Sequence, residues 1–287
     1  MGLLFPPDRF FIIAGPCVVE DDALNMRVAA ELARLESSVP GGIVFKASFD
    51  KANRSTRGAA RGPGFDEGLA ALGRVRAATG LRVLTDVHLP DQCAPTAEVV
   101  DALQIPAFLC RQTDLLTAAG ATAKPVNVKK GQWLQPEAMR GAVDKIRAAR
   151  PSIGHSERSS GIPSAGSSER IDEVAITERG TFFGYGDLVV DMRSFVKMRE
   201  STGAPVIFDA THSVQRPGMG EGGSSGGARE FIPHLAMAAV AAGAHGVFIE
   251  THPDPDNAPS DGPNMLPLSD LELLLQRLVG VWEKVSK

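Results

Sequence analysis

Ionisable and sulfur-containing residues follow short apolar runs at intervals along the 287-residue chain. Cysteine, histidine and carboxylate side chains can bind a divalent metal ion, and lysine and arginine side chains can bind phosphate or carboxylate groups. The residues with this chemistry are Cys17, Lys46, Ser48, Lys51, Asp86, His88, Lys129, Arg179, His212, Glu250 and Asp261. These residue types therefore indicate two kinds of site, a metal centre and an anion-binding pocket.

Six cations lie in or just after four of the apolar runs, in a chain whose formal net charge is −4. They are Lys46, Lys51, Arg54, Arg111, Lys129 and Arg179. Fixed cations in a concave site match the phosphate or carboxylate groups of a ligand. The pattern predicts a strongly anionic small molecule, compatible with two phosphoryl groups. The acidic balance gives no reason to expect nucleic-acid binding.

The candidate ligands of the metal centre follow the first apolar run and the last two. Cys17, His212 and Glu250 follow the first, seventh and eighth runs, and Asp261 belongs to the loop after the eighth. Thiolate, imidazole and carboxylate ligands suit a divalent first-row transition ion. No CxxC or HxxxH motif supports this interpretation, and a lone cysteine after a strand is more often a buried thiol. Spacing alone leaves both alternatives open.

The apolar runs alternate with segments of helical periodicity. The predicted strands are Phe10–Gly15, Gly42–Ser48, Arg82–Val87, Ala102–Phe108, Pro125–Lys129, Glu173–Thr177, Pro205–Ala210 and Gly246–Thr251. The predicted helices are Asp21–Leu35, Phe65–Thr79, Pro95–Ala102, Leu115–Ala119, Gln135–Arg150, Tyr185–Thr202, Ala228–Ala242 and Leu268–Val285. Short, wholly apolar runs are typical of parallel strands buried on both faces. Eight such units predict a (β/α)8 TIM barrel in a single domain over residues 1–287.

A doubly wound open sheet is the other way to arrange these units. That fold usually has a glycine-rich phosphate loop after its first strand. The first run here ends in Ala14-Gly15-Pro16-Cys17, without a GxGxxG or GxxxxGK[ST] motif. Eight similar units favour the barrel, whose active sites are built by the loops after the strands. The residues named above are therefore expected to converge on one mouth.

The segment Pro151–Asp172 interrupts the alternation with seven serines, three glycines and two prolines. It connects the fifth helix to the sixth strand, on the barrel face opposite the strand carboxyl ends. The composition predicts a mobile surface insertion, and a subunit contact is the alternative.

The totals exclude several classes of protein. Three unpaired cysteines argue against a disulfide framework and for a reducing compartment. No run approaches the length of about 18 apolar residues that would span a bilayer, and the first residues do not form a secretory signal. A cytoplasmic enzyme is expected, without a membrane partner.

Longer motifs resemble the 3-deoxy-D-manno-octulosonate 8-phosphate synthases almost from end to end. They are Lys46–Ser55 (KASFDKANRS), Arg61–Gly64, Thr85–His88, Arg111–Asp114, Asn127–Lys130, Phe183–Tyr185 and His252–Pro255. The KANRS loop is the most specific of these. The related heptulosonate synthases, which use erythrose 4-phosphate, have a loop of the KPRTS type there.

The resemblance implies that phosphoenolpyruvate, arabinose 5-phosphate and water give the eight-carbon keto-sugar phosphate and inorganic phosphate, for lipopolysaccharide synthesis. It assigns a phosphoenolpyruvate pocket to Lys46, Ser48, Lys51, Gln112, Lys129 and Arg179. It assigns the sugar phosphate to Asn53, Arg54 and Ser55, with Asp86 and His88 near the sugar hydroxyls and aldehyde. The expected catalytic residues are Lys51, Asp86, His88, His212 and Asp261.

The resemblance also implies a metal. One branch of the family has Asn at the position of Cys17 and needs no metal, whereas the branch with Cys depends on one. Cys17, His212, Glu250 and Asp261 are thus expected to bind one divalent ion, Fe²⁺, Mn²⁺, Co²⁺ or Zn²⁺, and no organic cofactor is expected. The family is typically homotetrameric. Two segments depart from it, namely the longer serine-rich stretch and Thr56–Ala60.

Three competing functions follow from the same residues. A heptulosonate synthase is the nearest, and the KANRS loop argues against it. A metal-dependent aldolase that releases pyruvate would not need so many cations. A non-catalytic binding or scaffold barrel would not need ionisable groups at every strand end.

Overall fold

The computed structural model describes residues 2–53, 58–151, 173–184, 186–220 and 226–286. Its strands are β1 Phe11–Gly15, β2 Ile43–Lys46, β3 Arg82–Asp86, β4 Ala102–Ile105, β5 Val126–Lys129, β6 Val174–Glu178, β7 Thr181–Gly184, β8 Asp187–Val189, β9 Val206–Asp209, β10 Gln215–Arg216, β11 Gly226–Gly227, β12 Gly246–His252 and β13 Leu266–Pro267. The helices are α1 Asp22–Leu35, α2 Phe65–Thr79, α3 Pro90–Val99, α4 Thr113–Ala121, α5 Arg140–Ala149, α6 Arg193–Thr202, α7 Ile232–Ala241 and α8 Leu268–Val285.

Eight parallel strands close into a barrel in the order β1-β2-β3-β4-β5-β6-β9-β12. The closure is the parallel pairing of β1 with β12, which brings Gly15 opposite Glu250. A helix follows each barrel strand, so the predicted (β/α)8 barrel is confirmed. Closure makes β1, β9 and β12 neighbours, and it removes the exposed sheet edges.

Apolar side chains fill both sides of the barrel wall. One buried cluster lies between the strands and the surrounding helices, and a second fills the barrel interior with Phe11, Ile13, Leu84, Ile207 and Phe248. Leu4 and Phe5 join this inner cluster from the amino-terminal segment. They seal the amino end of the barrel, because the Phe5 ring packs against Phe11 at 5.8 Å. Access to the interior is thus from the carboxyl ends of the strands.

Local signals in the sequence explain several boundaries. Asp21 caps α1 by accepting a hydrogen bond from the Leu24 N–H at 2.8 Å, as short polar residues do at helix starts. Gly80 ends α2 with φ +73°, a left-handed conformation that glycine adopts without strain. In the part of the chain that the structure describes, no helix combines the length and hydropathy needed to cross a membrane.

Two predicted helices were wrong at their starts. The helix predicted from Pro95 begins at Pro90, which takes the first helical position that proline favours. The helix predicted over Tyr185–Thr202 begins only at Arg193. The preceding residues instead form the antiparallel hairpin of β7 and β8, whose turn contains Gly186 at φ +94°. The predicted insertion, Pro151–Asp172, lies outside the described residues except for Pro151.

Candidate active site

A cavity of about 790 Å³ opens at the carboxyl ends of the barrel strands. Its lining includes Lys46, Ser48, Lys51, Asp86, His88, Gln104, Lys129, Arg179, His212 and Asp261. A smaller groove of about 520 Å³ lies beside α2 and α3. Its arginines already have partners, since Arg76 binds Asp101 and Arg82 donates to backbone carbonyls. The ionisable groups therefore place the site at the larger cavity.

Two lysines bridge the carboxylates at the base of this cavity. Lys46 Nζ lies 3.3 Å from Asp86 Oδ2 and 3.2 Å from Glu250 Oε1, and Lys51 Nζ lies 3.6 Å from the same Glu250 oxygen. Burial raises the pKa of Asp86 and of Glu250, but neighbouring cations lower both pKa values below their ordinary range. The carboxylates are therefore ionised, and the lysines are held by them as charged, oriented donors.

A second charged group surrounds Asp209 on β9. This fully buried carboxylate contacts Lys129 Nζ, accepts the His212 backbone N–H at 2.8 Å and has His212 Nδ1 2.8 Å away, without the alignment of a hydrogen bond. Lys129 Nζ also lies 3.3 Å from the centroid of the Phe248 ring. Burial lowers the pKa of Lys129, whereas Asp209 raises it. Asp209 thus holds an otherwise costly buried ammonium group at the cavity wall.

Arg179 enters the cavity directly after β6. Its Nη2 donates to Gln215 Oε1 at 2.5 Å and to the His212 carbonyl at 3.2 Å. Its Nε is buried without a partner among the described residues. A buried donor without a partner is costly, so this guanidinium is suited to an anionic ligand.

Cys17, Glu250 and Asp261 form a cluster whose ligand atoms all lie within 4.8 Å of one another. The Cys17 thiol donates to Asp261 Oδ2 at 3.0 Å, and Glu250 Oε2 is buried without a hydrogen-bond partner in the described chain. Ligand atoms that are each about 2.0–2.3 Å from one ion stand at comparable separations. The donor set therefore fits a divalent transition ion.

His212 lies beside this cluster. Its Nε2 is 3.7 Å from Glu250 Oε2, but it is not within 4.8 Å of all three cluster members. Burial, followed by the Glu250 charge, raises the pKa of the Cys17 thiol well above its ordinary value. A metal ion would have to displace that proton, since the thiolate is the ligand form.

The sequence profile of the DAHP synthetase I family matches residues 7–286. The chain belongs to the DAHP synthetase I family. Curated relatives of this family member carry the name 2-dehydro-3-deoxyphosphooctonate aldolase, and the resemblance drawn from the sequence is thereby confirmed.

The protein from Rhodopseudomonas palustris (strain BisB5) is 56% identical over 268 residues, which cover 93% of this chain and 86% of the relative. The Verminephrobacter eiseniae protein is 54% identical over 273 residues, 95% of this chain and 90% of its own. The Nitrobacter winogradskyi protein is 54% identical over 279 residues, which cover 97% of this chain and 90% of the relative.

The structure brings most residues expected of a family member to the cavity. The exposed Asn53 lines its rim, and Ser48 donates a hydrogen bond to Asp86. His88 packs edge-on against Phe49 with its Nδ1 unpartnered among the described residues, and burial lowers its pKa. Arg54 and Ser55 lie outside the described residues.

Gln112 and Arg111 are not at the cavity. The strand predicted to run to Phe108 ends at Ile105, and a 3-10 turn over Ala107–Leu109 then carries the chain over the rim. Gln112 therefore precedes α4 as an exposed residue. The described glutamines that line the cavity are Gln104, Gln132 and Gln215, and the expected contact of Gln112 with phosphoenolpyruvate stays a prediction.

Sequence reasoning missed Gln104, Gln132 and the role of Asp209. Gln104 is a polar residue inside an otherwise apolar strand, which was the available signal. Gln132 lies in the loop after β5, is 3% exposed and has a buried Oε1 without a partner in the described chain. Its contacts come from the folded barrel, and no local pattern marks them.

Proposed function

We propose that this family member condenses phosphoenolpyruvate with arabinose 5-phosphate and water to give 3-deoxy-D-manno-octulosonate 8-phosphate and inorganic phosphate. The observation that carries the proposal is the convergence of Lys46, Lys129 and Arg179 on one cavity that is sealed at its far end. The name 2-dehydro-3-deoxyphosphooctonate aldolase, borne by the curated relatives, denotes the enzyme of this reaction. In organisms that make lipopolysaccharide, the product enters its inner core.

The cations are suited to hold phosphoenolpyruvate by its phosphate and carboxylate groups. Lys46 and Lys129 are buried and oriented by carboxylates, and the buried Arg179 Nε has no partner among the described residues. Ser48, Lys51 and Gln104 also line this cavity and offer further polar groups. Arabinose 5-phosphate would then bind nearer the rim, through Asn53, Arg54 and Ser55, with Asp86 and His88 beside its hydroxyls and aldehyde.

The condensation needs C3 of phosphoenolpyruvate to be held against the aldehyde carbon of the sugar. Bond formation moves the C=O electron pair onto the aldehyde oxygen, which takes up a proton. It leaves positive character on C2, which the ionised Asp86 and Glu250 carboxylates would stabilise. Water adds at C2, and the C2–O bond to phosphate then breaks to give the ketone and inorganic phosphate. His212, Glu250 and Asp261 are the candidates for the base that takes the proton of that water, and Lys51 is held beside them by Glu250.

We also propose that Cys17, His212, Glu250 and Asp261 bind one divalent first-row transition ion, Fe²⁺, Mn²⁺, Co²⁺ or Zn²⁺, without an organic cofactor. The cluster of three donors and the unpartnered Glu250 oxygen support this proposal. When bound, such an ion would supply Lewis-acid polarisation of the aldehyde or orientation of the water. Magnesium is disfavoured because it avoids thiolate ligands.

The same family membership supports one catalytic domain over residues 1–287 that acts as a homotetramer in the cytoplasm. Three free, buried cysteines are compatible with a reducing compartment. The aromatic pair of Phe108 and Trp133 and the almost fully exposed Phe183 offer apolar surface for subunit contacts. Size-exclusion chromatography with light scattering would measure the assembly.

The experiment that tests the reaction is inorganic phosphate release from phosphoenolpyruvate, with arabinose 5-phosphate or erythrose 4-phosphate, before and after chelation. We expect release with arabinose 5-phosphate and its loss on chelation. A preference for erythrose 4-phosphate would indicate a heptulosonate synthase instead. Pyruvate release from an added 2-keto-3-deoxy sugar acid, with no phosphate release from phosphoenolpyruvate, would indicate an aldolase. Binding without turnover would indicate a scaffold protein.

A further inference from the structure

We propose that Asn127 and Thr177 are positioning residues that hold Gln104 in one orientation and thereby set the affinity for phosphoenolpyruvate. The inference rests on the proposed function only for the identity of that ligand. Neither residue is among those that line the cavity in the described chain. They act through the side chain that lies between them and the ligand.

A chain of hydrogen bonds crosses four consecutive barrel strands. Thr177 Oγ1 on β6 donates to Asn127 Oδ1 on β5 at 2.7 Å. Asn127 Nδ2 donates to Gln104 Oε1 on β4 at 2.8 Å, and Gln104 Nε2 donates to Asp86 Oδ1 on β3 at 2.7 Å. Asp86, Gln104 and Asn127 are register partners across these strands, so the chain follows one layer of the barrel wall.

The chain has a single direction because it ends on a carboxylate. Burial raises the pKa of Asp86, but the charges of Lys46 and Lys51 outweigh burial and bring the pKa below its ordinary value. The carboxylate is therefore ionised and can only accept hydrogen bonds. The Gln104 nitrogen must face Asp86, so its oxygen faces Asn127. The Asn127 nitrogen must then face Gln104, which leaves its oxygen for the Thr177 hydroxyl. Reversing either amide would bring two acceptor oxygens together in a buried layer.

The direction of the hydrogen-bond chain determines which atom of the Gln104 amide faces the ligand. Gln104 is 1% exposed yet lines the cavity. One of its two Nε2 hydrogens binds Asp86, and no acceptor in the described chain takes the other. The oriented amide therefore presents a donor, and not a carbonyl, to the ligand. A donor complements the oxygens of a carboxylate or phosphate group.

The depth of Gln104 points to phosphoenolpyruvate as the substrate that it meets. Asn127 and Lys129 are two residues apart on β5 and so face the same side of the wall. Lys129 is one of the buried cations assigned to phosphoenolpyruvate, whereas Asn53, the described residue assigned to the sugar phosphate, is exposed at the rim. We therefore expect loss of the positioning contact to weaken phosphoenolpyruvate binding in particular.

The test is a double-mutant cycle on phosphoenolpyruvate affinity, measured by calorimetry together with steady-state kinetics. Thr177→Val keeps the β-branched shape but removes the hydroxyl donor. Gln104→Met removes the amide that the Thr177 hydroxyl orients through Asn127. We expect Gln104→Met to raise the Kd about tenfold and Thr177→Val about fivefold, since one oriented hydrogen bond to an anion is lost or loosened. The double variant should match Gln104→Met alone, because both substitutions act through the same amide.

Two further variants separate positioning from general destabilisation. Thr177→Ser restores the hydroxyl and should recover wild-type affinity. Thr202→Val removes another buried hydroxyl, which donates to the Met198 carbonyl at the end of α6, and should leave the Kd unchanged. If Thr177→Val does not fold, Thr177→Ala replaces it in the same double-mutant cycle.

Independent, multiplicative effects in the double variant would overturn the inference, as would an unchanged Kd in Thr177→Val. Failure of the proposed function would look different, because the wild-type protein would then neither bind phosphoenolpyruvate nor release phosphate from it.

Discussion

Lys130 Nζ lies 3.5 Å from Glu178 Oε1, and each side chain is only 1% exposed. The pair joins the end of β5 to the end of β6, and its two residues are next in sequence to the cavity cations Lys129 and Arg179. Glu178 Oε1 also accepts the backbone N–H groups of Arg179 and Gly180, at 3.0 and 2.7 Å. The carboxylate thus fixes the turn that presents Arg179, and Lys130 holds the carboxylate.

Lys130→Met should therefore destabilise the protein and weaken ligand binding together. Removing one partner of a buried pair leaves an uncompensated charge, at a cost of about 3–5 kcal/mol. Urea denaturation would measure the loss, and kinetics should show a higher KM for phosphoenolpyruvate through the loosened Arg179. The control is Lys197→Met, which breaks the exposed pair with Glu137 and should cost at most about 1 kcal/mol. Equal effects in the two variants would contradict the structural role of Lys130.

Cys17→Asn is the most informative change at the cluster. The substitution removes the thiolate ligand, so metal content measured after dialysis should fall well below that of the wild type. Asparagine stands at this position in the metal-free branch, and we expect some turnover to survive chelation in this variant. Cys17→Ser should also lose metal but gain no chelator resistance. Full activity in metal-free wild-type protein would show that Cys17 is only a packed thiol.

Arg54→Ala should raise the KM for arabinose 5-phosphate about tenfold or more, with little change for phosphoenolpyruvate. A guanidinium group forms paired hydrogen bonds with phosphate, and a lysine such as Lys51 cannot replace that geometry. Arg27→Ala, at an exposed position on α1, is the control for loss of one positive charge. Equal increases in KM for both substrates would count against a sugar-phosphate role.

Shortening the stretch that was predicted as an insertion, Pro151–Asp172, should leave turnover nearly intact. Its composition provides too little apolar surface to stabilise a packed structure, and it connects to the face of the barrel opposite the cavity. Replacement of residues 152–172 by a short glycine–serine turn can be checked by kcat and by light scattering. A changed assembly state would instead indicate the alternative interpretation as a subunit contact.

Acidification should destabilise the fold partly through His245. Burial lowers the pKa of this imidazole, whose Nδ1 accepts the Val206 N–H at 3.0 Å. As pH falls below about 6.5, the unfolded chain takes up the proton first, and stability is lost until the folded-state pKa is passed. His245→Asn retains an acceptor that does not titrate. Its Tm should fall less between pH 7.5 and 5.5 than that of the wild type, by about 2 °C.

The exposed His234 provides the control for the pH experiment. His234→Asn makes the same replacement at the protein surface and is the matched variant for the comparison. Identical profiles for His245→Asn and wild type would exclude His245 as a contributor.

The sequence was sufficient for the barrel because buried parallel strands are short, apolar and regularly spaced. It also predicted that side chains at the strand ends lie near one another, since closure brings those ends together, and the roles assigned to them stay predictions. It did not identify Gln104, which lies within an apolar run. Gln112 was predicted to lie near a strand end, but a 3-10 turn separates it from β4. Pairs such as Lys130 with Glu178 join separate strands, and single-sequence periodicity carries no information on such contacts.

The contact between Cys17 and Asp261 joins positions 244 residues apart, from the first and the last strand–helix units. The amino-terminal units of a protein leave the ribosome first, so Cys17 emerges long before the loop that provides Asp261. A nascent chain that ends before Asp261 cannot assemble the three-residue cluster. The cluster can therefore exist only after all eight barrel strands and the loop that follows the last of them have been synthesised.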